Sequence, residues 1–478
     1  MAEPEALFLA LDQGGGSSRA AIFDVRGECL ASFAVAVTTR HPSPGRVEQS
    51  PEALVESLRQ AAAQTLAQLP PGLRVKVKRF GLACQRASLI AWDRLSGEPL
   101  TPVISWQDVR GASPFHPSPE QRFQLQQLTG LYPSAHHGAS KFRWCLDNLP
   151  KVQAAAKKGS LCLSPLAGYL MAALTGFARP AAVDPASAQR TLLWGQREKD
   201  WQPELLRNFN LKRRWLPALA PCIGDWGRAS FAGTELQGGF LGGDQGAALY
   251  ASGRPDPDAL VNLGTGGFVL APLHAPHPSP APLQQSLLLT CSNDANWALE
   301  GTIHGCGAAL EWLRRYAPVG FDDRDLAHWL REVTQPALFL NAVGGLGSPD
   351  WRSDLQSRFV GPASFPARAA GLLESIVFLV VRNLDVLQKK HPVHQLRLTG
   401  GLGALPGLGQ RLADLSGLPV LRPLEREATL RGVGYLLAGC PDGWRGASAE
   451  RIEPVANASL LRRYRRWQTC MERLLSHP

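Results

Sequence analysis

Apolar residues along this chain fall into short blocks set off by glycine, proline and polar turns. Leu7 to Leu11 is an apolar run that ends in Asp12-Gln13-Gly14-Gly15-Gly16-Ser17-Ser18-Arg19, the pattern of a buried strand feeding a glycine-rich turn. Ala20 to Asp24 is short and is cut by the turn Val25-Arg26-Gly27-Glu28, and Leu30 to Val37 is a third strand-like stretch, so the glycine loop is expected to open a hairpin. A Walker loop or a dinucleotide fingerprint would open a helix instead, and no Walker-type string occurs. Pro51 to Leu69 places Leu54, Leu58, Ala61, Ala62 and Leu66 at helical spacing, while Arg79 to Ala83 and Leu89 to Trp92 read as strands. The second half returns to this order. Ala259 to Leu263 runs into Gly264-Thr265-Gly266-Gly267 and then Phe268 to Ala271, a second strand-glycine-strand hairpin, with the Pro-rich His274 to Pro282 as an exposed loop. Gly371 to Gln388 is an amphipathic helix, and the strand Gln395 to Leu398 ends at Thr399-Gly400-Gly401-Leu402-Gly403. Two mixed α/β lobes of similar plan are implied, each opening its glycine loops toward a shared cleft.

Glycine turns of this kind carry chemistry. Consecutive backbone N–H groups in a tight turn form a concave anion site, and glycine lets a phosphate approach without Cβ clashes. Asp12, at the mouth of the first turn, suits Mg²⁺, which favours one or two carboxylates plus waters and substrate phosphates. Gly242-Gly243-Asp244-Gln245-Gly246 holds a carboxylate just before the helical stretch Ala247 to Ala251, so Asp244 is either a general base or simply a helix N-cap. Gln85-Arg86 and Ser105-Trp106-Gln107-Asp108 combine amides, a guanidinium and an indole, a mixture suited to gripping a polyol; ordinary core packing is the competing role for Trp106. His136-His137 lacks a cysteine or acid at ligand spacing and reads as a loop pair rather than a metal site. Gly401-x-Gly403-x-x-x-Gly407 has the wrong spacing for a dinucleotide loop, and Pro406 intrudes.

Composition narrows the class. The 478 residues allow roughly three domains at about 150 residues each, or two large lobes, and 45% hydrophobic with 19% charged residues is ordinary globular usage. The 47 glycines and 38 prolines are a surplus expected in turns and ligand loops. A net charge of +10 suits an anionic small substrate or good solubility. It does not indicate nucleic acid, because the basic residues are scattered apart from Lys212-Arg213-Arg214 and Arg462-Arg463-Tyr464-Arg465-Arg466, runs that read as solvated helix faces. Nine cysteines without a C-x-x-C pair, and an acidic start at Met1-Ala2-Glu3-Pro4-Glu5, point to a reduced, cytoplasmic protein without a secretory signal. Apolar stretches such as Ile376 to Val381 are too short to span a bilayer.

Taken in order, the motifs are distinctive. Asp12-Gln13-Gly14 with Ser17-Ser18-Arg19, Pro44-Gly45-Arg46-Val47-Glu48-Gln49, Gln85-Arg86, Trp92-Asp93 with Gly97-Glu98-Pro99-Leu100, Ser105-Trp106-Gln107-Asp108, Gly243-Asp244-Gln245, Gly264-Thr265-Gly266, Ala298-Leu299-Glu300-Gly301, Gly345-Leu346-Gly347-Ser348-Pro349 and Thr399-Gly400-Gly401 give a chain that resembles the FGGY carbohydrate kinases over nearly its whole length, and the glycerol kinase branch most. The resemblance implies an α/β fold of two actin-like (ribonuclease H-like) lobes with the active site in the cleft between them. Residues 1–246 would form the N-terminal lobe with the substrate site and phosphate loop, and 247–478 the nucleotide-binding C-terminal lobe, with Ser252 to Pro255 near the hinge. It implies ATP-dependent phosphorylation of a sugar or polyol hydroxyl. Asp244 would be the catalytic base, Asp12 with Asp244 the Mg²⁺ site, and Gly14, Gly15, Gly16, Ser17 and Arg19 the first phosphate loop. Gly264, Thr265 and Gly266 would form the second phosphate hairpin, Gly307 and Glu311 the nucleotide-side helix, and Gly400, Gly401 and Leu405 the adenosine loop. Gln85, Arg86, Trp106, His136, Asp244, Gln245 and Phe268 would hold the substrate.

The chain also departs from that pattern. Ala87 stands where glycerol kinases carry a glutamate after the Gln-Arg pair, His136 where they carry an aromatic hydroxyl, Gly15 and Gly16 where they carry threonines, and Leu405 where an asparagine is usual. No counterpart of the glycine-rich allosteric loop precedes Gly243. The expected substrate is therefore a small sugar or polyol other than glycerol, with a true glycerol kinase and a catalytically degenerate nucleotide-binding protein as the alternatives. Nucleic-acid and membrane partners are not expected, and a homodimer is left open.

Overall fold

The computed structural model describes residues 6–112, 115, 117–255, 258–273, 275–277, 281–291, 294–318, 320–424, 427–446 and 448–476. Part of the loop expected over His274 to Pro282, namely 274 and 278–280, lies outside them.

The opening apolar run is the strand Leu7–Gln13 (β1), which pairs antiparallel with Ser17–Phe23 (β2) so that Asp12 lies opposite Arg19. β2 in turn pairs with Cys29–Ala36 (β3), and Val77–Cys84 (β4) lies parallel to β1 on its other side. All seven positions of β1 are buried, which is why its sequence reads as a continuous apolar run instead of an alternation. The sheet is completed beyond β4 by Thr234–Gly243 (β5) and then Arg228–Phe231. The helix Pro51–Ala67 (α1) packs on β2 and β3 through the five residues expected from its spacing, and the Ser50 hydroxyl caps it by accepting from Ala53 N at 3.2 Å. A smaller four-stranded sheet, Glu48–Gln49, Val103–Ile104, Leu89–Asp93 and Leu161–Pro165, supports the loops that follow β4.

The chain forms two compact units, and neither is contiguous. The first comprises Met1–Pro255, Ser286–Trp297 and Glu427–Gly446; the second comprises Asp256–Gln285, Ala298–Arg426 and Ala447–Pro478. A single cut between 246 and 247 therefore leaves out two segments that the first unit takes from late in the chain. The later segment supplies the helix Ala428–Leu437, which packs within the first unit on Asp244–Leu249 (α3, with Gly138–Asn148 as α2) and on β1. Glycine permits this approach: a Cβ on Gly432 would overlap the Ala247 carbonyl oxygen, and one on Gly434 would meet the Phe23 ring at 2.8 Å.

The second unit repeats the plan. Ala259–Leu263 (β6) pairs antiparallel with Gly267–Leu273 (β7), and Leu396–Thr399 (β8) lies parallel to β6, as β4 does to β1. Within this unit the sheet runs from the 298–303 part of Ala295–Ile303 through β7, β6, β8 and Val420–Pro423 to Ala449–Ile452. Against it packs the helix Phe365–Gln388 (α5, with Gly307–Arg314 as α4), which starts six residues before the expected Gly371. Ser364 caps it, and Pro366 sits in its first turn, where the missing N–H costs nothing. The basic run at 462–466 lies on the helix Ala458–Ser476, whose Leu460, Tyr464 and Trp467 are buried. Of the arginines, Arg463 turns in to pair with the buried Glu374 at 2.6 Å while the others stay solvated. Among the described residues no helix is long and apolar enough to cross a membrane.

Candidate active site

In the first unit the glycine turn joins β1 to β2 as a hairpin, closed by Gly14 N donating to Ser17 O at 3.0 Å. The Gly15 carbonyl is held from behind by Gln49 Nε2 at 2.9 Å and Thr39 Oγ1 at 3.1 Å, and a Cβ on Gly16 would meet nothing within 4 Å, so the exposed lip of the turn is open. Arg19 donates through Nε to Ser17 Oγ at 2.9 Å and pairs through Nη1 with Glu427 at 3.1 Å. Burial lowers the Arg19 pKa, but the negative charges of Asp12 and Glu427 outweigh it, and the net direction is upward.

Asp12 is 4% exposed, and its Oδ1 is buried without a hydrogen-bond partner. Burial pushes its carboxyl up to about 7; Arg19 opposes the rise, while Asp244 and Glu427 add to it. A desolvated carboxylate with one idle oxygen beside a second carboxylate fits a divalent cation, which would supply the missing partner and offset the repulsion between the two acids.

Asp244 is the first residue of α3. The N-cap is Gly243, so the capping alternative does not describe Asp244. Its Oδ1 accepts from Gln245 N at 2.8 Å and faces Arg86 Nε at 3.9 Å, and 22% of the side chain remains open. Burial raises its pKa; Arg86 and the Gln245 N–H pull the other way and favour the ionised form. A Cβ on Gly243 would meet Arg86 Cγ at 2.9 Å, so the glycine before Asp244 is what lets the guanidinium approach. Gln85 donates to Gln49 Oε1 at 2.8 Å, its backbone N–H bonds Gln13 O at 2.9 Å, and its own Oε1 is buried without a partner. Ala87 adopts the left-handed conformation at φ 61°, uncommon for a residue with a Cβ.

Trp106 and His136 lie side by side, His136 Nδ1 within 3.2 Å of the Trp106 carbonyl, and both are half-buried. Trp106 N donates to Ser88 Oγ at 3.0 Å. Asp108, the last residue of that motif, serves the loop itself. It is fully buried, accepts from Val47 N at 2.7 Å and pairs with Arg110, which also reaches Glu48, so its carboxylate is committed to holding the loop. His137 is likewise internal: its Nδ1 lies 3.2 Å from the Arg190 carbonyl, and burial drives its pKa down to about 3.

In the second unit the Gly264-Thr265-Gly266 turn is closed by Gly264 N donating to Gly266 O at 2.9 Å, with Gly264 and Thr265 exposed. The carbonyls of Gly264 and Thr265 accept from Gly307 N at 2.9 Å and Ala308 N at 3.0 Å, which seats the start of α4 on the turn. A Cβ on Gly307 would fall 2.9 Å from the Gly264 oxygen, which explains its glycine. Gly400 has φ 88°, and a Cβ there would overlap Asn262 and Leu263, whereas one on Gly401 would meet nothing within 4 Å. The second unit thus presents two glycine turns, at 264–266 and 400–401, with Gly264, Thr265 and Gly401 exposed and Gly400 closed against Asn262 and Leu263. Phe268, half-buried on β7, belongs to this unit, and the other expected substrate residues belong to the first.

Two expected nucleotide residues differ in burial. Leu405 is 4% exposed and packs in the core of the second unit, because an apolar side chain after the 402–404 helical turn gains more by burial than by facing a ligand. Glu311 lies on the exposed face of α4, ion-paired with Arg314 one turn on. Sequence reasoning also missed Gln49, Lys141, Arg190 and Glu427. Each acts through a partner far away in sequence, Arg19 and Glu427 being 408 positions apart, and no local pattern marks such residues.

Two α/β units, each with a glycine-turned hairpin beside a parallel strand, define a two-lobe sugar-kinase fold. The N-terminal domain of the FGGY family of carbohydrate kinases matches residues 7–234 and its C-terminal domain residues 259–439, and the chain belongs to this family of ATP-dependent phosphotransferases. It is 32% identical to a glycerol kinase of Geobacter sp. (strain M21), with 97% of each chain covered. Its fold matches Plasmodium falciparum glycerol kinase with ADP at a TM-score of 0.82 and 22% identity, covering 98% of both chains. It also matches a ligand-bound xylulose kinase from Lactobacillus acidophilus at a TM-score of 0.79 and 18% identity, again with 98% of both covered.

Proposed function

We propose that this kinase transfers the terminal phosphoryl group of ATP to a hydroxyl of a sugar or polyol larger than glycerol, with Asp244 as general base. The observation that carries this reading is the Asp244 carboxylate itself, partly open, freed from capping duty and faced by Arg86 at 3.9 Å, which opposes the rise in pKa that burial brings. As the acceptor oxygen bonds to phosphorus and the bond to ADP breaks, its proton passes to Asp244. Arg86, Trp106, Gln245 and His136 orient the acceptor, with Gln85 next to Arg86 in sequence; Phe268 is the acceptor residue expected from the second unit. The turn at Gly14, Gly15, Gly16 and Ser17, with Arg19, receives phosphate oxygens, and the turns of Gly264, Thr265 and Gly266 and of Gly400 and Gly401 receive the nucleotide. Asp12 and Asp244 would hold Mg²⁺, which when bound neutralises phosphate charge.

Ala87 supports an acceptor other than glycerol. A methyl group accepts no hydrogen bond, and the left-handed backbone at this residue sets the direction of the chain after Arg86. Buried polar groups left unmatched cost about 1–3 kcal/mol each, so a site lacking the glutamate prefers acceptors that satisfy its remaining donors. A pentose, a ketose or a modified polyol is the expected class.

Two measurements test the reading. Asp244→Asn should lower turnover by orders of magnitude while calorimetry shows ATP binding nearly intact; unchanged turnover removes Asp244 from the role. A panel of polyols, pentoses and ketoses assayed for ADP release should rank glycerol below the best acceptor. Glycerol in first place would refute the argument from Ala87, and nucleotide binding without acceptor-stimulated ADP release would support a degenerate kinase instead.

A further inference from the structure

A buried lysine lies directly behind the acceptor-facing loop. Lys141, on the first turn of α2, is fully buried, and its Nζ donates to the carbonyl of Ser105 at 2.9 Å. That carbonyl also accepts from Asp108 N at 3.1 Å, the bond that closes the turn Ser105-Trp106-Gln107-Asp108. One oxygen thus receives the bond that shapes the turn and a bond from the ammonium of another element. α2 is itself seated by Gly138 N on Arg190 O at 3.2 Å and Ala139 N on Thr191 O at 2.8 Å, and it begins immediately after His136 and His137. Lys141 therefore ties the segment that carries Trp106 to the segment that carries His136, and the two meet again where His136 Nδ1 approaches Trp106 O.

A lysine is a costly way to fill this space. Burial pulls its pKa down to about 7; Asp108 and Cys145 oppose the fall and Arg110 adds to it. A methionine of similar length would fill the same volume without a charge, so packing alone does not call for an ammonium.

We propose that Lys141 is a specificity-determining positioning residue that fixes the placement of Trp106 relative to His136, its neighbour in the acceptor site. The proposal rests on the assignment of Trp106 and His136 to the acceptor site. Lys141 takes no part in proton transfer and reaches the reaction only through the Ser105 carbonyl.

Lys141→Met and Lys141→Gln test it in the full-length protein. In the absence of any substrate, backbone amide exchange over 105–109 and 134–138 should accelerate by about tenfold in Lys141→Met, with β1 and α5 unchanged, since a hydrogen bond to a charged group is worth about that factor or more. With the best acceptor, KM for the acceptor should rise by about tenfold while kcat stays within about threefold and KM for ATP does not move. Lys141→Gln, which keeps a neutral donor, should recover part of both effects. Unchanged exchange in these segments overturns the clamp whether or not any acceptor is phosphorylated, so its failure is separable from failure of the kinase reading. A fall in kcat with no change in acceptor KM, or parallel rises in KM for acceptor and ATP, overturns the positioning role. Should Lys141→Met not fold, the same comparison between Lys141→Gln and the wild type decides.

Discussion

Asp184 offers a sharp quantitative test of how this fold treats a buried charge. Its Oδ1 caps the short helix Pro185–Gln189 by accepting from Ser187 N at 2.8 Å, its Oδ2 is buried without a partner, and the side chain is inaccessible to solvent. Burial raises its pKa from 3.8 to about 6, against the pull of the capping bond. The folded protein therefore holds the proton more tightly than the unfolded chain does. Stability associated with this group is fully present below 3.8, is lost as pH rises through the interval, and stays lost above about 6. Asp184→Asn keeps the capping oxygen and removes the titration. At about 1.4 kcal/mol per tenfold change in proton affinity, the variant should exceed the wild type by about 3 kcal/mol more at pH 7 to 8 than at pH 3, with about 1 kcal/mol of that difference present at pH 4.5. Asp184→Ala also loses the cap, worth about 1 kcal/mol, and should show a net gain nearer 2 kcal/mol at pH 8. Urea unfolding at pH 3, 4.5 and 8, with the transition of the first unit followed separately, measures the differences. A difference between Asp184→Asn and wild type that does not change with pH would refute the assignment of a desolvated charge to this position.

Other perturbations follow from the packing. Gly432→Ala drives a methyl into the Ala247 carbonyl, and because the obstacle is backbone it should cost about 3 kcal/mol by chemical denaturation and lower kcat by displacing α3 and Asp244. Ala87→Gly should be neutral or stabilising by up to about 1 kcal/mol, whereas Ala87→Val, β-branched at φ 61°, should lose at least about 1 kcal/mol; thermal melts of the pair decide. Glu427→Gln removes the anionic partner of Arg19, and the freed guanidinium should raise the affinity for nucleotide while leaving the fold intact, as calorimetry with ATP would report.

The sequence made the local architecture readable because each hairpin combines two apolar runs with a glycine turn, and each of those features works within about ten residues. Leu7 to Arg19 and Ala259 to Ala271 therefore have the strands and turns expected of them. Asp244 was legible because glycines flank a carboxylate at a helix start, but the string could not separate base from N-cap; the capping position falls one residue earlier, at Gly243. The role of Asp108 was not legible, since nothing in Ser-Trp-Gln-Asp says that its oxygens are taken up by Arg110 and the Val47 N–H. Leu405 follows the 402–404 turn as its position implied, but the string does not say that its apolar side chain turns into the core. Lys141, Asp184 and Glu427 gave no signal. Their roles depend on partners that only the fold brings near, and burial, which decides their protonation, has no local spelling.

The discontinuity of the first unit bears on how the molecule is made. Residues 427–446 supply the carboxylate that pairs with Arg19 and the helix that packs on α3, so the part of the protein holding Asp12 and Asp244 lacks a wall until those residues have been made. A nascent chain halted at Pro255 would expose the faces of β1 and α3 that this helix covers, together with two acids deprived of their proper setting. The first unit thus waits for residues 427–446 before its charged cluster takes its final form, and chaperone dependence during synthesis should concentrate between Pro255 and those residues.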